Sequence, residues 1–263
     1  MSLKITEKIK KPIIQELKIF EKQFYSSVSS KVKLLDLILI YVLNRKGKQI
    51  RPILVFLFAK MFSTGNINQK SYRAANLVEL IHTASLIHDD IVDDSNVRRN
   101  FLTINALWKN RISVLVGDFL LSKGLLLAIE HEEFELLKIM SKTVKKMSEG
   151  EITQLKKSKS LDIDEKTYFK IIQEKTASLF SSCCVMGAIS SNSIDKNILL
   201  MKEFGLLLGQ AFQIRDDMFG YLSYDTGKPS LNDFKQAKIT LPLIYSLSKA
   251  NNSKKSEIIK YLK

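Results

Sequence analysis

The chain has 263 residues, 41 Lys and Arg against 27 Asp and Glu, a formal charge of +14 and 45% hydrophobic residues; this balance excludes a disordered tail and a collagen-like repeat and leaves apolar material for a sizeable core. The charge invites a nucleic-acid reading, yet the lysines spread along the whole chain at helix-surface spacing, arginine is scarce, and no basic run is interleaved with aromatics, so no nucleic-acid partner is expected. The two cysteines, Cys183 and Cys184, are adjacent and cannot staple a secreted scaffold, which points to a reducing, cytoplasmic compartment and to small buried packing residues.

The N-terminal stretch is basic but interrupted by Glu7 and Glu16, with no apolar core of signal-peptide type. The longest apolar runs, around Leu37–Leu43 and Ile53–Ala59, fall short of the roughly 20 residues a membrane helix needs, so no membrane span is expected. Prolines occur at 12, 52, 229 and 242, which permits long helices from Ile53 to Lys228. Apolar residues recur at three and four, as in Leu77, Ile81, Ala84 and Leu86 or Ile87, and again in Leu199, Phe204, Leu207, Leu208 and Ala211. Sustained period-two alternation is hard to find, so the prediction is one all-α domain over 1–263. Turn chemistry predicts breaks at Asn44–Gly47, Ser63–Asn68, Ser158–Asp164, Ser190–Asp195 and Ser223–Asn232.

Two acidic clusters interrupt the apolar periodicity. The first is His88-Asp89-Asp90-Ile91-Val92-Asp93-Asp94, and helical spacing gathers Asp89, Asp90 and Asp93 on one face within a turn. The second, Gln213-Ile214-Arg215-Asp216-Asp217, places an amide one turn before its acid pair. Six of the thirteen aspartates lie in these two stretches, where their mutual repulsion would be offset by a bound cation. All-oxygen, carboxylate-rich donors suit a hard divalent ion, and the absence of a Cys/His cluster disfavours zinc. Mg2+ is therefore the expected metal, because it keeps several waters and commonly bridges one or two carboxylates to substrate phosphates. An EF-hand is excluded, since neither its sixth-position Gly nor its closing Glu is present.

Basic groups flank the acids. Arg98 and Arg99 follow Asp93 closely, Lys48 and Arg51 sit three apart before Pro52, and His82 precedes Asp89 by two turns on nearly the same face. Such groups are what anionic phosphate oxygens require.

Taken together, the chain from Asn44 to Leu247 resembles the trans-isoprenyl diphosphate synthases, the polyprenyl synthetase family. The resemblance is carried by Gly47-Lys48-x-x-Arg51-Pro52, His82-x-x-Ser85-Leu86-x-His88-Asp89-Asp90-x-x-Asp93, Arg98-Arg99, Val116-Gly117-Asp118, Gly150-Glu151-x-x-Gln154, Lys175-Thr176-Ala177, Phe212-Gln213-x-x-Asp216-Asp217 and Lys238-x-Thr240-Leu241-Pro242-Leu243. It implies an antiparallel bundle of long helices around a central cavity, with the two aspartate motifs facing each other at its mouth. It further implies Mg2+, with Mn2+ as a substitute, held by Asp89, Asp93 and Asp216 with Asp90 and Asp217 in support. Lys48, Arg51, His82 and Arg99 would bind isopentenyl diphosphate, while Arg98, Lys175 and Lys238 would contact the allylic diphosphate. Thr176, Gln213 and backbone carbonyls would face the allylic cation. A homodimer and peripheral membrane contact during product release are further expectations of the resemblance.

Product length in this family follows the depth of the cavity below the first motif. Ser85 lies one turn below Asp89, with Ala84 beside it and Ile81 deeper; the two upper positions are small, and no two-residue insertion lies within the motif. An open tunnel of this kind implies a long-chain product of the sort used for quinone side chains. The sequence departs from the family pattern at Lys46, Asn100 and Leu102, and Gly220 stands where a third aspartate is usual. Gly220 and the early C-terminus support an alternative reading as a weakly active or non-catalytic regulatory subunit of a heteromeric synthase. A terpene cyclase would share the metal chemistry but has no second diphosphate for Lys48, Arg51 and His82 to hold.

Overall fold

A computed structural model describes residues 3–45, 47–160, 164–220 and 240–262. The chain folds as α1 (Leu3–Lys10), a 3-10 turn (Lys11–Ile13), α2 (Ile14–Val28), α3 (Lys33–Asn44), α4 (Ile50–Phe62) and α5 (Gln69–Val92). A two-stranded ribbon of β1 (Val97–Arg98) and β2 (Phe101–Leu102) leads into α6 (Ile104–Glu130), α7 (Phe134–Ser160) and α8 (Glu165–Ile172). A π-helical segment, Gln173–Ala177, joins α8 to α9 (Ser178–Ser190), followed by α10 (Asp195–Phe219), α11 (Leu241–Lys249) and α12 (Asn252–Leu262). The all-α expectation holds. The helix boundaries fall at the expected turns from Asn44 to Asp195, and the break at Ser223–Asn232 lies outside the described residues.

Local chemistry explains the starts. Asn68 accepts the Ser71 amide at 3.0 Å to open α5, and Asp164 accepts the Thr167 amide at 2.8 Å to open α8. Pro52 sits in the first turn of α4, where its missing N–H costs nothing, while Gln49 enters that helix from a left-handed backbone, φ 52°.

The core lies between α4, α5, α6 and α9, with α2 laid across it. Phe20 of α2 stacks on Phe24 at 5.5 Å and meets Phe56 of α4 edge-on at 5.8 Å. Leu77, Leu80 and Ile81 of α5 are buried where Gly124 lets α6 approach, and a Cβ on that glycine would already touch Leu77 at 3.3 Å. Cys183 and Cys184 are free thiols buried on α9, as expected for packing residues.

One helix bears on the expectation of no membrane span, which rests on short apolar runs. Among the described residues α6 is long and apolar enough, by length and composition, to cross a membrane. Asp118 and Lys123 divide its apolar stretch into short runs, so a search for uninterrupted apolar sequence passes over it; nearer its start Lys109 turns to φ 70°. One face of α6 packs on α5 through Val116, Gly117, Leu120 and Gly124, whereas Leu115, Leu126 and Ile129 are exposed.

Candidate active site

The two acidic clusters end the helices that carry them: α5 stops at Val92 and α10 at Phe219. Asp93 is the C-cap of α5, its amide bonded to the Asp89 carbonyl at 2.8 Å. The expected convergence of three carboxylates within one turn is not observed. Asp90 turns inward, is 7% exposed and accepts the Arg98 Nε at 2.7 Å. The reason is that the chain leaves α5 just after Asp93 and returns through the ribbon, which sets a guanidinium against the buried side of the helix.

That ribbon shapes the basic side of the site. Arg99 and Asn100 occupy its two-residue turn with φ of 53° and 66°, the sign that a tight hairpin of type I′ demands at both central positions. Asn100 tolerates the left-handed backbone; Arg99 holds it at a cost of about 1 kcal/mol or more. The ribbon is pinned by Tyr41 Oη, which donates to the Leu102 carbonyl at 2.7 Å, and by the Arg45 guanidinium lodged between the Tyr41 and Phe101 rings. Arg99 thereby lies on the loop before α4. The Arg99 guanidinium lies over Gly47, where a Cβ would fall 2.5 Å from its Cζ, so a side chain there would displace it.

Arg51, in the first turn of α4, sits over the Phe180 ring at 5.4 Å, and Lys48 is exposed beside it. His82 is 7% exposed on α5. Burial above all, then the charges of Arg51, Arg99 and Arg98, hold its pKa well below the usual imidazole range, so it is a neutral group among cations. Arg51, His82 and Arg99 therefore share one electrostatic neighbourhood, as the sequence motifs suggest.

A second neighbourhood centres on the π segment. Gly150 of α7 lets the two backbones approach, since a Cβ there would fall 2.9 Å from the Lys175 nitrogen. Lys175 Nζ then reaches Glu151 Oε2 at 2.5 Å and Gln154 Oε1 at 2.9 Å. On the other side, Gly209 brings α10 against the Ala177 backbone. Thr176 Oγ1 donates to Gln213 Oε1 at 2.7 Å, Gln213 Nε2 donates to Asp217 Oδ1 at 2.7 Å, and Tyr168 Oη donates to Asp217 Oδ2 at 2.6 Å. Sequence reasoning missed Tyr168 because a tyrosine inside an amphipathic helix reads as core. Glu151 and Gln154 were visible within a motif but carried no role until Lys175 was placed beside them.

Asp89 links the two neighbourhoods. Burial chiefly, with Glu151 and Asp93 adding to it against Lys175 and Arg98, pushes its carboxyl up to about 6. Beside it, Asp93, Asp94, Glu151 and Gln154 line a cavity of about 240 Å³. Among the described residues no three acids or imidazoles are gathered closely enough to hold an ion unaided. The donors are nonetheless hard carboxylate oxygens, and burial makes the Asp89 charge costly unless a cation joins it, so they fit an ion shared with a phosphate ligand rather than one caged by protein. Ala84 and Ile81 are buried below Asp89, and the half-buried Ser85 donates its hydroxyl to the His82 carbonyl at 2.9 Å. Lys238 lies outside the described residues.

Comparison with known proteins gives this arrangement a family. Residues 32–263 match the polyprenyl synthetase family model. The chain is 36% identical over 234 residues to heptaprenyl diphosphate synthase component 2 of Bacillus subtilis, covering 88% of this chain and 67% of that protein. It is 34% identical over 253 residues to octaprenyl diphosphate synthase of Haemophilus influenzae, covering 95% and 75%. A crystal structure of polyprenyl synthase from Caulobacter crescentus, complexed with calcium and isoprenyl diphosphate, superposes with a TM-score of 0.87 at 28% identity, covering 98% of this chain and 84% of that one. A helical bundle with acidic helix ends facing basic groups, matched over most of its length, thus belongs to the polyprenyl synthetase family, the prenyltransferases that build polyprenyl diphosphates.

Proposed function

We propose that this chain uses Mg2+ to condense isopentenyl diphosphate with an allylic diphosphate, producing a long-chain all-trans polyprenyl diphosphate. The observation that carries the reading is that cations reach the carboxylate-bearing end of α5 from two directions: Arg51 and Arg99 act on His82, Lys175 acts on Asp89, and Arg98 acts on both. A cyclase would need one such pocket; a condensation needs two. The calcium and isoprenyl diphosphate in the Caulobacter enzyme accord with a divalent ion at such a site.

Divalent ions, when bound, neutralise charge developing on the departing diphosphate. Asp89, Asp93 and Asp216 would hold them. Asp90 and Asp217 act through their neighbours, since one is bonded to Arg98 and the other to Gln213 and Tyr168. Arg98, Lys175 and Lys238 orient the allylic diphosphate, whose carbon–oxygen bond breaks with the electron pair leaving on oxygen. Thr176 and Gln213 contribute dipoles rather than nucleophiles near the resulting cation, and their mutual hydrogen bond fixes the orientation of both. Lys48, Arg51, His82 and Arg99 hold isopentenyl diphosphate so that its double bond attacks that carbon; a carbon–carbon bond forms, and the proton lost goes to the departed diphosphate. Small Ala84 and Ser85 below Asp89 leave room for a growing chain. The exposed Leu115, Leu126 and Ile129 of α6 offer an apolar face for a homodimer.

Incubating purified protein with Mg2+, farnesyl diphosphate and labelled isopentenyl diphosphate, then sizing the products, tests the reading. Incorporation into prenyl diphosphates longer than geranylgeranyl, nearly abolished in Asp89→Ala, is the expected result. No incorporation, or cyclic hydrocarbon as product, overturns it.

A further inference from the structure

Helix α5 directs one more ionisable group toward the basic pocket. Glu79 lies three residues before His82, and its Oε2 is shut off from solvent without a hydrogen-bond partner. Arg51 Nε, on the neighbouring helix α4, is in the same condition. The charges acting on Glu79 are those of Arg51 and Arg99, which favour its ionised form against the burial that opposes it. From the Arg51 side, Glu79 favours the guanidinium charge while Arg99 opposes it. Two guanidinium groups arriving from separate elements, the first turn of α4 and the turn of the ribbon, repel each other, and His82, on which both act, is neutral and cannot offset that. A half-buried acid and a half-buried base, each with one atom shut off from solvent and unsatisfied, form a costly arrangement that a protein keeps only where something else repays it.

We infer that Glu79 is a positioning residue for the isopentenyl diphosphate pocket, drawing Arg51 and Arg99 to the same side of α5 so that both guanidinium groups are presented together to one diphosphate. The inference rests on the pocket assignment made above. Its sign is distinctive. A carboxylate acting on a nearby diphosphate through its field alone would weaken binding, so its removal would tighten it. A carboxylate that gathers two arginines does the opposite, and its removal loosens binding.

Calorimetric titration of isopentenyl diphosphate into wild type, E79Q, E79D, R51K and the double variant E79Q/R51K tests this, alongside KM values for isopentenyl and farnesyl diphosphates. E79Q should weaken isopentenyl diphosphate binding about tenfold and raise its KM similarly, while the farnesyl diphosphate KM stays within about twofold. In the R51K background the same change should cost markedly less than tenfold, because the arginine it positions has gone. E79D, which keeps the charge one methylene short, should bind between wild type and E79Q and carries the test if E79Q does not fold. Unchanged or tighter binding in E79Q, equal losses for both substrates, additivity with R51K, or E79D binding no better than E79Q overturns the role. Wild type that fails to bind isopentenyl diphosphate removes the pocket assignment and this role with it, whereas wild type that binds and an E79Q that matches it removes the role of Glu79 alone.

Discussion

Replacing Tyr168 by Phe deletes one oxygen and tests the hydrogen-bond chain beneath the second aspartate motif. That oxygen donates to Asp217 at 2.6 Å, and the carboxylate's other oxygen accepts Gln213 at 2.7 Å. Tyr168 and Asp217 are 3% and 7% exposed, which leaves water little room to replace the lost donor. A hydrogen bond to a charged, buried acceptor contributes about 1.5–3 kcal/mol, and for a chain of this size that lowers Tm by about 3–12 °C. Urea unfolding should show the loss as a shift in midpoint at unchanged slope. Asp217→Asn weakens the same bond, so the double variant should fall short of additivity by about 1 kcal/mol. Turnover should drop about tenfold as Gln213, and with it Thr176, loses its fixed orientation. A stability loss below about 0.5 kcal/mol, or strict additivity with Asp217→Asn, would refute the reasoning.

Burial raises the Asp89 carboxyl to about 6, against about 3.9 in an unfolded chain. The folded protein therefore keeps a proton that the unfolded chain has lost, so the stabilisation is complete below pH ~4 and is lost as pH rises through about 6. Metal-free protein should lose up to about 3 kcal/mol over that window, Asp89→Asn should flatten the slope, and equal slopes in denaturant titrations would count against it. Gly209→Ala forces a methyl into the Ala177 backbone; it should cost about 1–3 kcal/mol in urea and reduce turnover through the adjacent Thr176, and a stability equal to wild type would contradict the close approach. Ser85→Phe should shorten the product in a chain-length assay, whereas an unchanged length would defeat the tunnel argument.

Much of this was legible in the sequence, and what was not has identifiable physical causes. Helical periodicity and turn residues marked the bundle, because apolar spacing and Gly, Asn and Ser clusters act locally. The ribbon at Val97–Leu102 escaped notice because strands of two residues carry no alternation. Spacing placed Asp89, Asp90 and Asp93 on one helical face, but only the fold shows that α5 ends at Val92 and that Arg98 claims Asp90. The partnership of Tyr168 with Asp217 joins residues far apart in the chain, as does the influence of the Arg51 and Arg99 charges on Glu79, and no motif spacing exists for either. Gln173–Ala177 reads as ordinary helix by composition, so its widened turn had no local signal.

That widened turn bears on how the protein tolerates insertions and deletions. A π turn takes up one residue more than an α turn, so deleting a residue from Gln173–Ala177 could leave a continuous helix and a folded bundle. Because the widened turn absorbs that residue, the helix on either side would keep its register, and Tyr168 would still face α10. What would change is the turn itself, where Lys175 and Thr176 would be displaced from Gln154 and Gln213. Losing a residue here should accordingly cost turnover more than stability, whereas a residue lost from an exposed turn such as Ser63–Asn68 should be far less costly to activity.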